Sequence, residues 1–79
     1  MDWPAKLKAV RKREGLTQAE LCDLLAIPHG TWRKYEAGII EIGLNPIMKM
    51  ANHPRFRKYT LWLLTDDADA SEQISPVLP

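Results

Sequence analysis

The sequence predicts an all-α fold of five short helices. Apolar residues recur at i, i+3 and i+4 spacing, turn residues such as Gly15, Pro28, Gly38 and Pro54 separate these runs, and no alternating strand pattern or Gly/Asn hairpin signal occurs. The first helix opens near Pro4, a residue suited to a first helical turn, behind Asp2 or Trp3; Leu7 and Val10 face inward and Gly15 ends it. Thr17 is a good N-cap for a second helix, Gln18 to Leu25, and Glu20 three residues later completes a capping-box pattern. Leu21, Leu24 and Leu25 are its expected inward residues.

Ile27-Pro28 is a tight break, because proline disfavours helical geometry in the residue before it yet can itself begin a helix. A third helix then runs from about Pro28 to Ala37 and stops at Gly38. Trp32 and Tyr35 point inward, Thr31 packs on the preceding helix, and His29, Gly30, Arg33 and Lys34 point outward. Leu44, Ile47, Met48 and Ala51 form the apolar stripe of a fourth helix that ends at His53-Pro54. A fifth, about Arg55 to Leu64, presents Phe56, Tyr59, Trp62 and Leu63 to the core and Arg55, Arg57 and Lys58 to solvent.

Seventy-nine residues make one domain at most, near the lower size at which a core holds without disulfides, metal or a partner. The single cysteine, Cys22, reads as structural and points to a reducing compartment, and no Cys/His cluster offers a metal site. No signal-like or membrane-spanning apolar run is present, so a soluble, cytoplasmic protein is expected. No nucleophile–base–orienter set is visible either, which argues against an enzyme, and no cofactor is implied.

Charge is divided unevenly along the chain. Residues 1–64 hold all 11 basic residues and 6 acidic ones, a net of +5, whereas residues 65–79 carry Asp66, Asp67, Asp69 and Glu72, a net of −4. The expected organisation is a basic helical domain over 1–64 with an acidic, disordered tail over 65–79. A positive domain suits a phosphate-binding surface, although +5 alone is also ordinary for a solvated helical domain.

Two short helices joined by a three- or four-residue turn pack steeply, so that the second projects while the first braces it. The run Leu16-Thr17-Gln18-Ala19-Glu20-Leu21-Cys22, then Ile27-Pro28-His29-Gly30-Thr31-Trp32, then Tyr35-Glu36-Ala37-Gly38 resembles the Cro/repressor (XRE) helix-turn-helix family of phage and bacterial regulators. The likeness is strong over residues 16–38 and looser from Trp3 to Leu64. It implies a compact, lambda-repressor-like five-helix domain with helices 2 and 3 as the helix-turn-helix, and a small transcriptional regulator, a repressor, binding double-stranded DNA.

The resemblance also implies roles. His29, Gly30, Arg33 and Lys34 fall on the base-reading face, with Thr17, Gln18 and Thr31 at the DNA backbone and Gln18 as the phosphate clamp. Arg11 and Glu36 occupy positions that form a structural salt bridge in many relatives. One short recognition helix reads few base pairs, so a homodimer on a palindromic operator is expected.

Three positions depart from the pattern. Cys22 replaces a common Ala, and Ala26 replaces the usual turn glycine, which costs about 1 kcal/mol if φ is positive there. Ile39-Ile40-Glu41-Ile42-Gly43 replaces a loop that in many relatives is polar or basic and touches phosphate. Ile39, Ile40 and Ile42 then serve either as dimer contacts or as packing under helices 4 and 5 of the same chain. Trp3, Trp32 and Trp62 read as core and His53 as a surface or capping residue. Arg55, Arg57 and Lys58 read as a solvated face, with backbone contact as the minor option. The rival function is a protein-binding module, such as an antitoxin-like partner of a toxin.

Overall fold

The structure, a computed structural model, describes residues 2–65. The expected tail therefore lies outside the described residues, apart from Thr65. Within them the chain is all-helical, with five α-helices: α1 (Trp3–Arg13), α2 (Gln18–Leu25), α3 (His29–Ala37), α4 (Leu44–Asn52) and α5 (Thr60–Leu64), the last preceded by a 3₁₀ turn over Arg57–Tyr59.

Local chemistry sets the ends of the first three helices. The Asp2 side chain accepts from the Ala5 amide at 3.2 Å and caps α1, and Arg11, Lys12 and Arg13 complement the negative end of its dipole. Thr17 and Glu20 form a reciprocal capping box on α2: the Glu20 amide donates to Thr17 Oγ1 at 3.1 Å and the Thr17 amide to Glu20 Oε1 at 2.8 Å. Pro28 is the N-cap residue of α3 rather than its first helical residue, and its carbonyl accepts from the Trp32 amide. Gly38 closes α3 at φ 75°, a left-handed geometry that suits glycine, and a Cβ there would also meet Pro4 of α1 at 3.4 Å.

Ala26, between α2 and α3, adopts φ 55° and ψ 46°. A methyl group in the left-handed region is strained, so Ala26→Gly is expected to raise stability by roughly 0.5–1 kcal/mol after allowing for glycine's larger entropy loss. Thermal unfolding should show this as a gain of several degrees in Tm. An unchanged or lowered Tm would mean that the turn carries no such strain.

The core gathers Leu7 and Val10 of α1, Leu21, Cys22 and Leu25 of α2, Trp32 and Tyr35 of α3, Met50 of α4, and Phe56, Tyr59, Trp62 and Leu63 of the last segment. Trp3 is half-buried against it. Burial pushes the Cys22 thiol above its usual range, with the nearby carboxylates of Asp23 and Glu36 adding to the effect, as befits an inert packing residue. Lys6 fastens the two ends of the described chain together. Its Nζ donates to the carbonyls of Trp62 at 2.8 Å and of Thr65, closing the end of α5, and lies 5.0 Å from the centroid of the Trp62 ring.

The helical arrangement corrects several expected faces. Leu24 is 41% exposed, because Cys22 takes the inward position beside Leu21 and Leu25 where the short α2 crosses its neighbours. In α4 the buried residues are Ile47 and Met50, while Leu44 (70%) and Met48 (49%) lie open. The apolar residues cover more than half of that helix's circumference, and α2 and the 3₁₀ turn cover only one side of it. The expected continuous fifth helix is instead a turn, a 3₁₀ segment and five α-helical residues. The Thr60 hydroxyl donates to the Arg57 carbonyl at 2.7 Å, a side-chain bond that favours the tight turn over a regular start, yet Phe56, Tyr59, Trp62 and Leu63 are all buried.

Two of the loop isoleucines, Ile39 and Ile40, are not tucked into the core, whereas Ile42 packs against it. Ile39 and Ile40 are exposed and Ile42 half-buried, and all three border a cleft with Trp3, Pro4, Leu7 and Tyr35, against α1 and α3. His53 sits at the end of α4, where its Nδ1 accepts from the Arg55 amide at 3.1 Å and its ring leans on Phe56. Among the described residues no helix is long and apolar enough to cross a membrane.

Candidate nucleic-acid interface

α3 is anchored on one side by Trp32 and Tyr35, which are buried and meet edge to face at 6.0 Å between ring centroids. The helical period then turns His29, Gly30, Arg33 and Lys34 to solvent on the opposite side, and all four are exposed; Thr31 is half-buried. Arg33 and Lys34 form no ion pair among the described residues, so two cations stand uncompensated on a helix about 13 Å long.

Behind this face lies a network centred on Glu36, whose side chain is only 5% exposed. Arg11 donates to it twice, from Nε at 2.7 Å and from Nη2 at 3.0 Å, and its Nη1 donates to the Leu16 carbonyl at 3.0 Å. Trp32 Nε1 and Gln18 Nε2, the latter at 3.2 Å, also donate to Glu36. Burial pushes the Glu36 carboxyl upward, but the hydrogen bonds from Arg11, Trp32 and Gln18 outweigh it and hold the group below its usual range. One carboxylate thus joins α1, α2 and α3 and fixes the angle at which α3 projects.

The network also assigns work to other expected site residues. The side-chain amide of Gln18 is turned toward Glu36 at the start of α2, and the Thr17 hydroxyl serves the capping box. Lys8, Arg11 and Gln18 line one open groove with Gly30, Arg33 and Lys34, and Ile39 stands at its edge. Nothing in the periodicity of α1 sets Lys8 apart from the helix's other basic residues. Only the seating of α1 on α3 brings it to this groove.

A second carboxylate cluster was also hidden from sequence reasoning. Arg55 and Lys58 are not a free solvated face: both reach Glu14 at the end of α1, at 2.8 and 2.9 Å, and the Tyr59 hydroxyl donates to it at 2.6 Å. Burial raises the Glu14 carboxyl, but bonds from Tyr59, Arg55 and Lys58 outweigh it and leave the group lowered to about 2. Tyr59, buried and bonded to that carboxylate, is pushed up to about 12. The partners are more than forty residues apart, a separation for which no local sequence signal exists.

The described residues form a small helical domain whose basic helix is braced by a second one, and sequence similarity shows that the chain belongs to a phage repressor family. Over 74 residues it is 38% identical to Repressor protein C of Escherichia phage P2, an alignment covering 92% of this chain and 75% of that protein. No protein-family model matches the chain.

Proposed function

We propose that the protein is a transcriptional repressor that binds double-stranded DNA sequence-specifically, with α2 and α3 acting as a helix-turn-helix of the Cro/repressor (XRE) type and α3 inserted in the major groove. The observation that carries this reading is the outward face of α3: exposed His29, Gly30, Arg33 and Lys34 on a helix whose other side is locked in the core and whose base is pinned by Glu36. Arg33 and Lys34 supply donors suited to guanine O6 and N7, His29 supplies a ring nitrogen, and Gly30 permits close approach. Thr17, Gln18 and Thr31, at the start of α2 and the near side of α3, fit the phosphate backbone. In this reading residues 1–64 are the DNA-binding domain, 65–79 an acidic tail, and the protein works in the cytoplasm without a cofactor or catalysis.

One α3 contacts only a few base pairs, so binding as a homodimer to half-sites about 34 Å apart completes the reading. Ile39 and Ile40, exposed just beyond α3, are suited to the contact between copies, with Ile42 beneath them. The same exposed isoleucines also suit a protein partner, which is the second reading, an antitoxin-like module.

Fluorescence anisotropy decides between them. A duplex selected from a randomised library should bind the wild type with an affinity that falls as salt rises. Arg33→Ala and Lys34→Ala should each cost about 1–3 kcal/mol and relax the selected sequence preference. Undiminished binding by the double variant would remove α3 as the reading helix, and a monomer in light scattering at saturating duplex would remove the dimer.

A further inference from the structure

We infer that Lys8, on α1, is a phosphate-binding residue that grips the DNA backbone alongside α3, so that the contact surface is a two-walled groove rather than α3 alone. This rests on the reading of the protein as a DNA-binding repressor. α1 carries five basic residues, Lys6, Lys8, Arg11, Lys12 and Arg13, and the structure gives several of them internal work. Lys6 is spent on the carbonyls that end α5. Arg11 is neutralised by Glu36 with only 13% of its side chain exposed, and Arg13 interacts with the Tyr59 hydroxyl. Lys8 and Lys12 are exposed and make no ion pair among the described residues; of these two only Lys8 lines the groove that also holds Gly30, Arg33 and Lys34.

The electrostatics of that groove are lopsided in a useful way. Its acidic residue, Glu36, lies inward and is matched by Arg11, so the floor is close to neutral. The groove then presents Lys8 from α1 and Arg33 and Lys34 from α3, three exposed cations that form no ion pair among the described residues. Like charges gathered this way repel one another, and a linear polyanion running between them relieves the repulsion and releases its own counterions. With α3 in the major groove, the sugar–phosphate strand bordering it is the segment such a channel accommodates. Lysine is a point charge on a flexible stem, so Lys8 positions the backbone and adds no base preference.

The test compares wild type, Lys8→Gln, Lys8→Arg and Lys12→Gln for binding to the selected duplex and to a scrambled duplex across a salt series. Lys8→Gln should lower the slope of log K against log salt by about 0.9 and weaken binding about fivefold near 0.15 M salt, equally for both duplexes. Lys8→Arg should retain the wild-type slope. Lys12→Gln removes the same charge from the same helix outside the groove, and its slope change should be clearly smaller. An unchanged slope for Lys8→Gln, or equal losses for Lys8→Gln and Lys12→Gln, would overturn the assignment. Unaltered thermal unfolding of Lys8→Gln verifies that folding is intact, as its exposure requires. If the wild type itself binds neither duplex, the DNA-binding reading fails; if it binds with a slope that Lys8→Gln leaves intact, only the role of Lys8 fails.

Discussion

Glu36→Ala is expected to destabilise the domain by about 3–5 kcal/mol, the cost of leaving a buried charge without its partner. Arg11 would keep a guanidinium that is 13% exposed and aimed at an empty site, and the Trp32 indole N–H would lose its acceptor inside the core. A domain of this size has only a few kcal/mol of stability in hand, so the variant should be largely unfolded near physiological temperature. Urea unfolding followed by far-ultraviolet circular dichroism measures the loss. Glu36→Gln keeps the shape and one acceptor oxygen and should lose less. Replacing Arg11 and Glu36 together by apolar residues of similar volume should recover much of the stability, since the penalty lies in the orphaned partner more than in the lost attraction. A loss below about 0.5 kcal/mol for Glu36→Ala would place this pair among ordinary surface salt bridges.

The consequence for DNA binding follows from the same contacts. Glu36 holds α1, the start of α2 and the indole of α3 in one cluster, so the projection of α3 is set by an ion pair and not by apolar packing alone. A double Arg11/Glu36 apolar variant that folds well yet binds the selected duplex poorly would separate these roles of the pair.

What the sequence made legible was what local chemistry decides. The capping box of Thr17 and Glu20, the glycines at 15 and 38, and the break at Ile27-Pro28 each act within a few residues, and α2 and α3 lie where those signals put them. The face of α4 was a different problem. The expected stripe of Leu44, Ile47, Met48 and Ala51 and the buried pair Ile47 and Met50 share only Ile47, and the choice between the two faces depends on where α2 and the 3₁₀ turn press. Periodicity within nine residues carries no information about that. Lys8 was obscure for the same reason: Lys8 and Arg11 both line the groove, and which of the two keeps its charge unpaired among the described residues is decided by Arg11 being drawn inward to Glu36. The Glu14 cluster depends wholly on the chain returning to the end of α1 after more than forty residues.

That cluster is expected to make the domain acid-labile. The folded Glu14 carboxyl lies at about 2 against 4.5 for an unperturbed group, and Glu36 is also held low. As pH falls below about 5 the unfolded chain takes up protons at these positions while the folded chain refuses them, so stability is full above the unfolded value and is lost as pH drops toward the folded one. A shift of that size corresponds to at most about 3 kcal/mol for Glu14, reduced to roughly 1–2 kcal/mol because solvent screens the ion pairs with Arg55 and Lys58, which are 41% and 42% exposed. Glu36 adds to the loss over an overlapping range. Tyr59 works at the other end: its folded value of about 12 lies above that of an unperturbed phenol, so its contribution is present below pH 10 and fades as pH rises toward 12. Unfolding free energy measured by urea titration from pH 7 to pH 2.5 should therefore fall steadily below pH 5. Glu14→Gln should be less stable at pH 7 but show a shallower decline. If its decline matches that of the wild type, the acid sensitivity arises elsewhere and the contacts from Tyr59, Arg55 and Lys58 do not hold the carboxyl ionised.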